Sequence, residues 1–280
     1  DLPFMAQDLV DETGKHSIAP TSCSSVGNVE ITTAKGNPFS SSGRSIFIDG
    51  LQSSSTNGWG LAIDPATDTS WGAGAFTYET WVWVPSDGLH GTQHNFFLGM
   101  GQSAAVGGYG GVSWFSGKLG WWWQGGNYPS SVDIPLEEWA HIAVVRDGTG
   151  TDEARLYLNG ELILTFKISQ NYNLDEVGLY INSLMGCSNS AKAYYYGTRY
   201  SKGRALYAGA SPGKPTEPPS WTWIDTKMIP GEAVNSSGLW TVSRTAVDSM
   251  SLYKRAAIRA TETTEDTGIT NRDDFVYVLG

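Results

Sequence analysis

The side chains that could carry out chemistry are mainly acidic, and their spacing does not favour catalysis. Hydrolysis of a glycosidic bond needs two carboxyl groups roughly 5–9 Å apart on either side of that bond. Two acidic residues two positions apart on one strand would provide this separation, but no such pair occurs in the sequence. The adjacent pairs Glu137–Glu138, Asp152–Glu153 and Asp175–Glu176 point to opposite faces of a strand or lie in turns. We therefore expect no enzyme, with a carboxylate pair assembled from distant strands as the alternative.

The histidines and cysteines form no recognisable metal or redox motif. His141 shares a predicted strand face with apolar residues, so we expect a packed, hydrogen-bonded side chain there rather than a base or a metal ligand. His90 and His94 lie at i and i+4 in a loop rich in Gly and Asn, where this spacing does not bring two rings together. Cys23 and Cys187 lack CxxC spacing, and a disulfide or two buried thiols both remain open.

Three consecutive tryptophans stand out between Lys118 and Tyr128. In a strand, Trp121 and Trp123 would share one face and Trp122 would occupy the other. An exposed indole can stack on the C–H face of a sugar, while amide side chains bond its hydroxyl groups. The alternative is that all three indoles are buried. The candidate glycan-binding residues are Trp122, Gln124, Asn127 and Tyr128.

The elements that would position these residues are short β-strands cut by Gly, Ser and Asn turns. Apolar residues alternate with polar ones along Phe76–Val84, and Trp139–Arg146 has a similar strand pattern. Asn159–Gly160 is a strong signal for a type I′ hairpin. We therefore predict that residues 8–212 form an all-β, antiparallel two-sheet jelly-roll sandwich with almost no helix. The residues expected to be buried are Trp81, Trp83, Trp139, Leu156 and Leu158.

Composition supports a folded β-protein and excludes several partners. The chain has 280 residues with 34 glycines, 12% aromatic residues and only 16% charged residues, so it has ample apolar area for a core. With 28 acidic against 18 basic residues, the net charge is −10. A charge of this sign favours neither nucleic acid nor anionic membrane surfaces. No apolar run in the sequence is long enough to cross a bilayer.

The sequence divides into three parts around a proline-rich segment. Residues 1–212 form the jelly roll, 213–219 form a linker with several prolines, and 220–280 repeat the later strands of the first part. A half-sandwich cannot bury its own apolar face, so we expect the last part to pack on the first sandwich or on a neighbouring chain. The tryptophans expected in that contact are Trp221, Trp223 and Trp240. A second domain that simply stops short is the alternative.

Several segments together resemble a known family. Trp139–Gly148, followed by Leu156–Gly160, resembles the signature of laminin-G-like, concanavalin A-type jelly rolls, and Phe76–Trp81 is similar to an earlier strand of that family. The opening Val10–Ile18 and the closing Ala193–Tyr207 resemble the versions found in bacteriophage structural and tail proteins. This fold hosts lectins, adhesion modules, hydrolases and spacers, so the resemblance specifies the fold better than the function.

The resemblance implies a non-enzymatic virion protein, such as a fibre, whisker or decoration protein, located at the virion surface. Its expected partners are a host-surface polysaccharide or glycan, other virion proteins and further copies of the same chain. One alternative is a carbohydrate-binding or adhesion module of a secreted bacterial protein. A second alternative is a polysaccharide-degrading enzyme on the same fold.

No cofactor is expected, although the family offers one possible metal. Some members hold Ca²⁺ with an acidic pair in the closing strand, and this chain has Tyr196 and Gly197 at those positions. Calcium takes six to eight oxygen ligands, usually with carboxylates among them. Asp49 and Asp175 are left as weak candidates for such a site.

Overall fold

The architecture is all-β in the parts of the chain that the structure describes. The computed structural model describes residues 16–22, 28–50, 59–63, 72–91, 93–101, 109–123, 126–148, 153–168, 178–184, 189–217 and 275–278. These residues form strands, turns and bends, with no helix among them, as the sequence predicts. The same residues therefore hold no helix long and apolar enough to cross a membrane.

The described strands divide into two antiparallel sheets. In chain order the strands are β1 (Ile18–Ser22), β2 (Asn28–Thr32), β3 (Ser45–Asp49), β4 (Trp59–Ile63), β5 (Phe76–Trp83), β6 (Asn95–Gly101), β7 (Tyr109–Phe115), β8 (Lys118–Trp123), β9 (Gly126–Pro129), β10 (Trp139–Arg146), β11 (Ala154–Leu158), β12 (Glu161–Phe166), β13 (Gly178–Ile181), β14 (Lys192–Lys202) and β15 (Phe275–Val278). Sheet A has the order β12-β11-β10-β5-β14-β3-β2, and β15 also pairs with β14. Sheet B has the order β1-β4-β13-β6-β7-β8-β9. The chain crosses between the sheets repeatedly, as in a jelly roll.

The main core lies between the two sheets. On β5, Phe76, Tyr78 and Val82 face inward and are fully buried, as the alternation along this segment predicts. Sheet B contributes apolar side chains from β6, β7 and β8 to the same core, among them Trp121. Trp81 and Trp83 are also buried, but they lie on the outer face of sheet A, where loops cover them.

The strand pair β10 and β11 confirms most of the burial pattern predicted from the sequence and corrects one residue. Leu156 and Leu158 are buried in the main core. Trp139, however, is only half-buried, so the prediction that it is a core residue is wrong. It is the first residue of β10 and lies on the outer face, where its indole Nε1 donates to the Lys35 carbonyl oxygen at 3.4 Å. Because Trp139 is the first residue of its strand and lies at the rim of the sheet, part of its ring stays in contact with solvent.

The structure shows the predicted hairpin turn at Asn159–Gly160 and the pairing of the last strand, β15. Asn159 and Gly160 have φ values of 51° and 81°, as a type I′ turn between β11 and β12 requires. β15 pairs with Thr198–Ser201 of β14, so this strand belongs with the first sandwich. Residues 219–272 lie outside the described residues, and so do Trp221, Trp223 and Trp240, which the sequence analysis expects in a contact.

We predict that Leu156→Ala lowers the free energy of unfolding by about 2–5 kcal/mol, because it leaves a cavity between the sheets. Trp139→Ala should cost clearly less, because part of this ring already contacts water. Urea denaturation of both variants beside the wild type measures the difference. Equal losses in the two variants would contradict the placement of Trp139 at the rim.

Candidate functional site

The centre of the outer face of sheet A is covered by the chain itself. Residues 203–214, which we call the strap, leave the end of β14 and run across the sheet. Leu206 N donates to Thr77 Oγ1 at 2.9 Å, and Tyr157 Oη donates to the Gly209 carbonyl at 3.0 Å. Farther along, Leu162 N donates to the Ala210 carbonyl at 2.8 Å. This part of sheet A is therefore closed to a ligand by the strap.

A buried carboxylate fixes the strap to the sheet. Glu79 lies on the outer face of β5 and is 2% exposed. Its Oε2 lies 3.1 Å from His141 Nε2 and accepts a hydrogen bond from Tyr207 Oη of the strap at 2.5 Å. Arg199 of β14 pairs with Oε1. His141 is thus a buried, hydrogen-bonded sheet residue, as the sequence predicts.

The charges around Glu79 control its ionisation. Burial by itself raises the pKa of Glu79, but the hydrogen bond from His141, the charge of Arg199 and the hydrogen bond from Tyr207 together lower that pKa below its ordinary value of 4.5. Burial and the neighbouring Glu79 charge raise the pKa of Tyr207, so its hydroxyl stays protonated as a donor. Both carboxylate oxygens of Glu79 have partners within the protein, and the strap covers them. Glu79 therefore has a structural role.

We predict that lowering the pH from about 5 to about 3 reduces the free energy of unfolding, and that Glu79→Gln makes this dependence shallower. The folded chain holds Glu79 ionised at a pH where the unfolded chain takes up a proton, so this stability is present above the ordinary pKa and is lost as the pH falls through the folded one. Glu79→Gln should also cost about 3–5 kcal/mol at neutral pH. Urea denaturation across this pH range measures both effects.

Asp87→Asn is the matched control, because Lys192 also lowers the pKa of the Asp87 carboxyl but this pair is exposed. Exposed ion pairs contribute little to stability. A Glu79→Gln variant whose stability depends on pH as steeply as that of the wild type would contradict the role of Glu79.

The outer face of sheet B carries an aromatic surface where β6, β7 and β8 lie side by side. The pairing register puts Gly111 of β7 opposite Trp122 of β8, with Ser113 one row farther along. Gly111 is required by close approach, because a Cβ there would lie 2.4 Å from the Leu98 carbonyl oxygen and 2.9 Å from the Phe96 ring. The missing side chain lets larger rings pack directly over the sheet.

Five rings form this surface, which we call the Trp122 cluster. Its members are His94, Phe96, Tyr109, Phe115 and Trp122. Tyr109 stacks on Trp122 with ring centroids 5.6 Å apart, and His94 stacks on Phe115 at 4.6 Å. Phe96 is buried beneath them, whereas Phe115 is 36% exposed and the other three rings are half-buried. The outer rings of the cluster are therefore partly exposed to solvent.

The structure brings together only part of the site predicted from the sequence. Trp122 and Asn127 are directly opposite each other on β8 and β9, so they share the outer face of sheet B. Tyr128 is opposite Trp121 and turns toward the other face, where its ring lies 6.0 Å from that of Phe166. Gln124 lies outside the described residues.

The sequence analysis missed four members of the cluster: His94, Phe96, Tyr109 and Phe115. Tyr109 and Phe115 are six positions apart on β7 and therefore lie on the same face, which the alternation of faces along a strand could have indicated. His94 precedes β6, and its Nδ1 lies 3.1 Å from Ser113 Oγ. Burial lowers the pKa of His94, so the ring is neutral near neutral pH and can accept or donate a hydrogen bond.

The structure gives no support to a calcium site among the described residues. Asp49 is paired in register with Asn28 and Lys192, and no group of three or more His, Cys, Asp or Glu side chains in these parts of the chain could hold a metal ion. Asp175, Cys23 and Cys187 lie outside the described residues.

Residues 59–198 match the family model of the concanavalin A-like lectin/glucanases superfamily. This range contains β4 to β13 and most of β14. The chain belongs to this superfamily. No curated protein matches the sequence. Membership establishes the jelly-roll fold, and the superfamily includes both binding proteins and hydrolases.

Several solved structures are similar to this chain. The cellulose-induced protein Cip1 is similar with a TM-score of 0.51 and 18% identity, over 71% of this chain and 96% of that one. Domain 4 of an extracellular arabinanase from Geobacillus stearothermophilus, in complex with arabinotriose, gives a TM-score of 0.47 and 13% identity over 67% of this chain and 85% of that one. The binding domain of botulinum neurotoxin serotype G gives 0.42 and 13% identity over 68% of this chain and 44% of that one. At these identities the similarity concerns the fold alone.

Proposed function

We propose that this chain is a carbohydrate-binding protein and that the Trp122 cluster is its binding surface. The observation that carries the proposal is the group of stacked, partly exposed rings on sheet B beside the exposed residue Asn127. Membership of a superfamily that includes lectins is consistent with this role. The corresponding central surface on sheet A is covered by the strap.

The chemistry of the Trp122 cluster fits a sugar. The indole of Trp122 and the ring of Phe115 offer apolar faces to C–H groups, since aromatic side chains combine large contact area with little loss of conformational freedom. The Asn127 amide can both donate to and accept from sugar hydroxyl groups. The Nδ1 of His94 is engaged with Ser113, which leaves Nε2 as a further group for a hydroxyl.

The proposed activity is binding without hydrolysis. Glu79 is the buried carboxylate among the described residues, and its oxygens are occupied by His141, Arg199 and Tyr207 under the strap. A glycosidase needs an accessible pair of carboxyl groups on either side of the bond. Incubation of the chain with a bound polysaccharide, followed by measurement of new reducing ends, tests this point. An increase above the buffer control would favour the hydrolase alternative.

The proposed setting is the surface of a bacteriophage virion, as part of a fibre, whisker or decoration. Support comes from the opening segment Val10–Ile18 and the closing segment Ala193–Tyr207, which resemble bacteriophage structural and tail proteins. Single sugar sites are weak, and several copies of the chain in a homo-oligomer would raise the overall affinity for a host-surface glycan. The second candidate is an adhesion module of a secreted bacterial protein.

Mass spectrometry of purified particles decides between these two settings. Detection of peptides from this chain at a fixed ratio to the capsid protein supports the virion role. Recovery of the chain only from culture medium of uninfected bacteria supports the secreted module.

We predict that Trp122→Ala weakens glycan binding by about 1 kcal/mol or more, roughly fivefold, because the stacking face is lost. Tyr128→Ala is the matched control, since this ring is 41% exposed on the same hairpin but faces the other side of sheet B. A glycan array followed by calorimetry with the best ligand measures both variants, with urea denaturation to show that they fold. Unchanged binding by Trp122→Ala, or an equal loss in both variants, would move the site elsewhere.

A further inference from the structure

Four aromatic residues form a continuous row across the outer face of sheet A, at the end away from the strap. The register places Phe47 of β3 opposite Tyr194 of β14, and Tyr194 opposite Trp83 of β5. Trp83 is in turn opposite Trp139 of β10. Adjacent strands are about 4.8 Å apart, so the row extends roughly 14 Å across the strands. We call these four residues the sheet A row.

Three rings of the sheet A row are in contact, and three of its four residues are half-buried. Phe47 and Tyr194 have ring centroids 4.7 Å apart, and the Tyr194 and Trp83 rings meet edge to face at 5.4 Å. Phe47, Tyr194 and Trp139 are half-buried. Trp83 is 7% exposed, and the ammonium group of Lys35 lies over its ring, 4.0 Å from the centroid. A ligand along the row would thus meet the rings of Phe47 and Tyr194 on one side of the Lys35 ammonium group and the ring of Trp139 on the other.

Hydrogen-bonding side chains border the sheet A row. Glu30 of β2 is opposite Phe47 and continues the row at one end. Burial is the largest influence that raises the pKa of Tyr194, and the charges of Glu30, Asp87 and Glu137 raise it further, which reflects carboxylates near its hydroxyl. Glu137 has a φ of 60°, and its Oε1 accepts a hydrogen bond from Ser86 N at 2.7 Å. A left-handed conformation is uncommon at a non-glycine residue such as Glu, and such conformations cluster at turns and at functional sites.

These contacts restrict what could bind here. At this row the strands β3, β14 and β5 are each paired on both sides, and Trp139 of β10 is paired with β5, so most of the row offers no free main-chain partner for an added peptide strand. Recognition must rely on ring faces and on side chains that bond hydroxyl groups. The carboxylates of Glu30 and Glu137, with a net charge of −10 for the whole chain, disfavour an anionic ligand.

We propose that the sheet A row is a second saccharide-binding surface, which takes an extended, uncharged oligosaccharide lying across the strands. Successive sugar units would stack on Phe47 and Tyr194 at one end and on Trp139 at the other, with Lys35 donating to oxygens between them. This surface is independent of the Trp122 cluster, because it belongs to the other sheet. A chain with both surfaces can hold two glycan strands at once.

The test uses the full-length chain on an array of neutral and uronic acid-containing polysaccharides from bacterial and plant cell walls. The double variant Tyr194→Ala with Trp139→Ala should bind at least one neutral polysaccharide about tenfold more weakly than the wild type does, and Tyr194→Phe should keep most of the binding because the ring remains. Trp122→Ala should retain the part of the binding that the double variant loses. Tyr128→Ala again serves as the control, and urea midpoints show whether each variant folds.

Each outcome bears on one surface or on both. If the double variant binds as tightly as the wild type, the proposed binding role of the sheet A row is wrong, while that of the Trp122 cluster is unaffected. Loss in the double variant with full retention in Trp122→Ala supports the row and contradicts the proposed role of the Trp122 cluster. A double variant that loses binding to uronic acid-containing glycans alone overturns the assignment of an uncharged ligand. A wild-type chain that binds no polysaccharide overturns both surfaces.

Discussion

The carboxylate of Glu79 is the group on which the arrangement of sheet A depends. An ionised acid in a position that is 2% exposed would be very unfavourable without partners, and here it has three. Each partner comes from a different element, β10, β14 and the strap, so the requirement to satisfy one charge fixes three pieces of chain around β5. The outer face of a sheet is normally its solvated face. In this protein the centre of that face is instead a second, smaller core.

This second core has its own apolar part. Ala143, Val145 and Tyr157 are buried together, and Ala205 and Tyr207 of the strap pack against them. The β10 segment therefore has apolar residues on both faces, unlike a strand with one solvated side. Because the strap occupies this area, the aromatic surfaces that stay partly exposed lie at one end of sheet A and on sheet B. The two aromatic surfaces that remain differ in shape, since one is a compact cluster and the other a line across four strands.

The features that could be predicted from the sequence are those that depend on near neighbours. Alternation along Phe76–Val84 and the Asn159–Gly160 turn specify their own local geometry, and both occur as predicted. The partners of Glu79 could not be inferred this way, since they lie 62 to 128 positions away in the chain. The orientation of Tyr128 depends on the register between β8 and β9, in which Trp123 faces Gly126. Gly125 and Gly126 are adjacent in the sequence, and glycine restricts the backbone little, so the pattern of residues alone did not select this register.

The close packing around Gly111 restricts which positions of the surface on sheet B can vary among related chains. The floor of the Trp122 cluster leaves no room for even a methyl group, because the Leu98 carbonyl oxygen would lie 2.4 Å from it. Any larger residue there would push β6 and β7 apart and disturb the core on the opposite face as well. Tyr109 and Phe115 at the rim are under no such restriction. Related chains could therefore vary the aromatic rim of this surface while the floor stays glycine, so that the chemistry of the surface can change without a change in the packing of the fold.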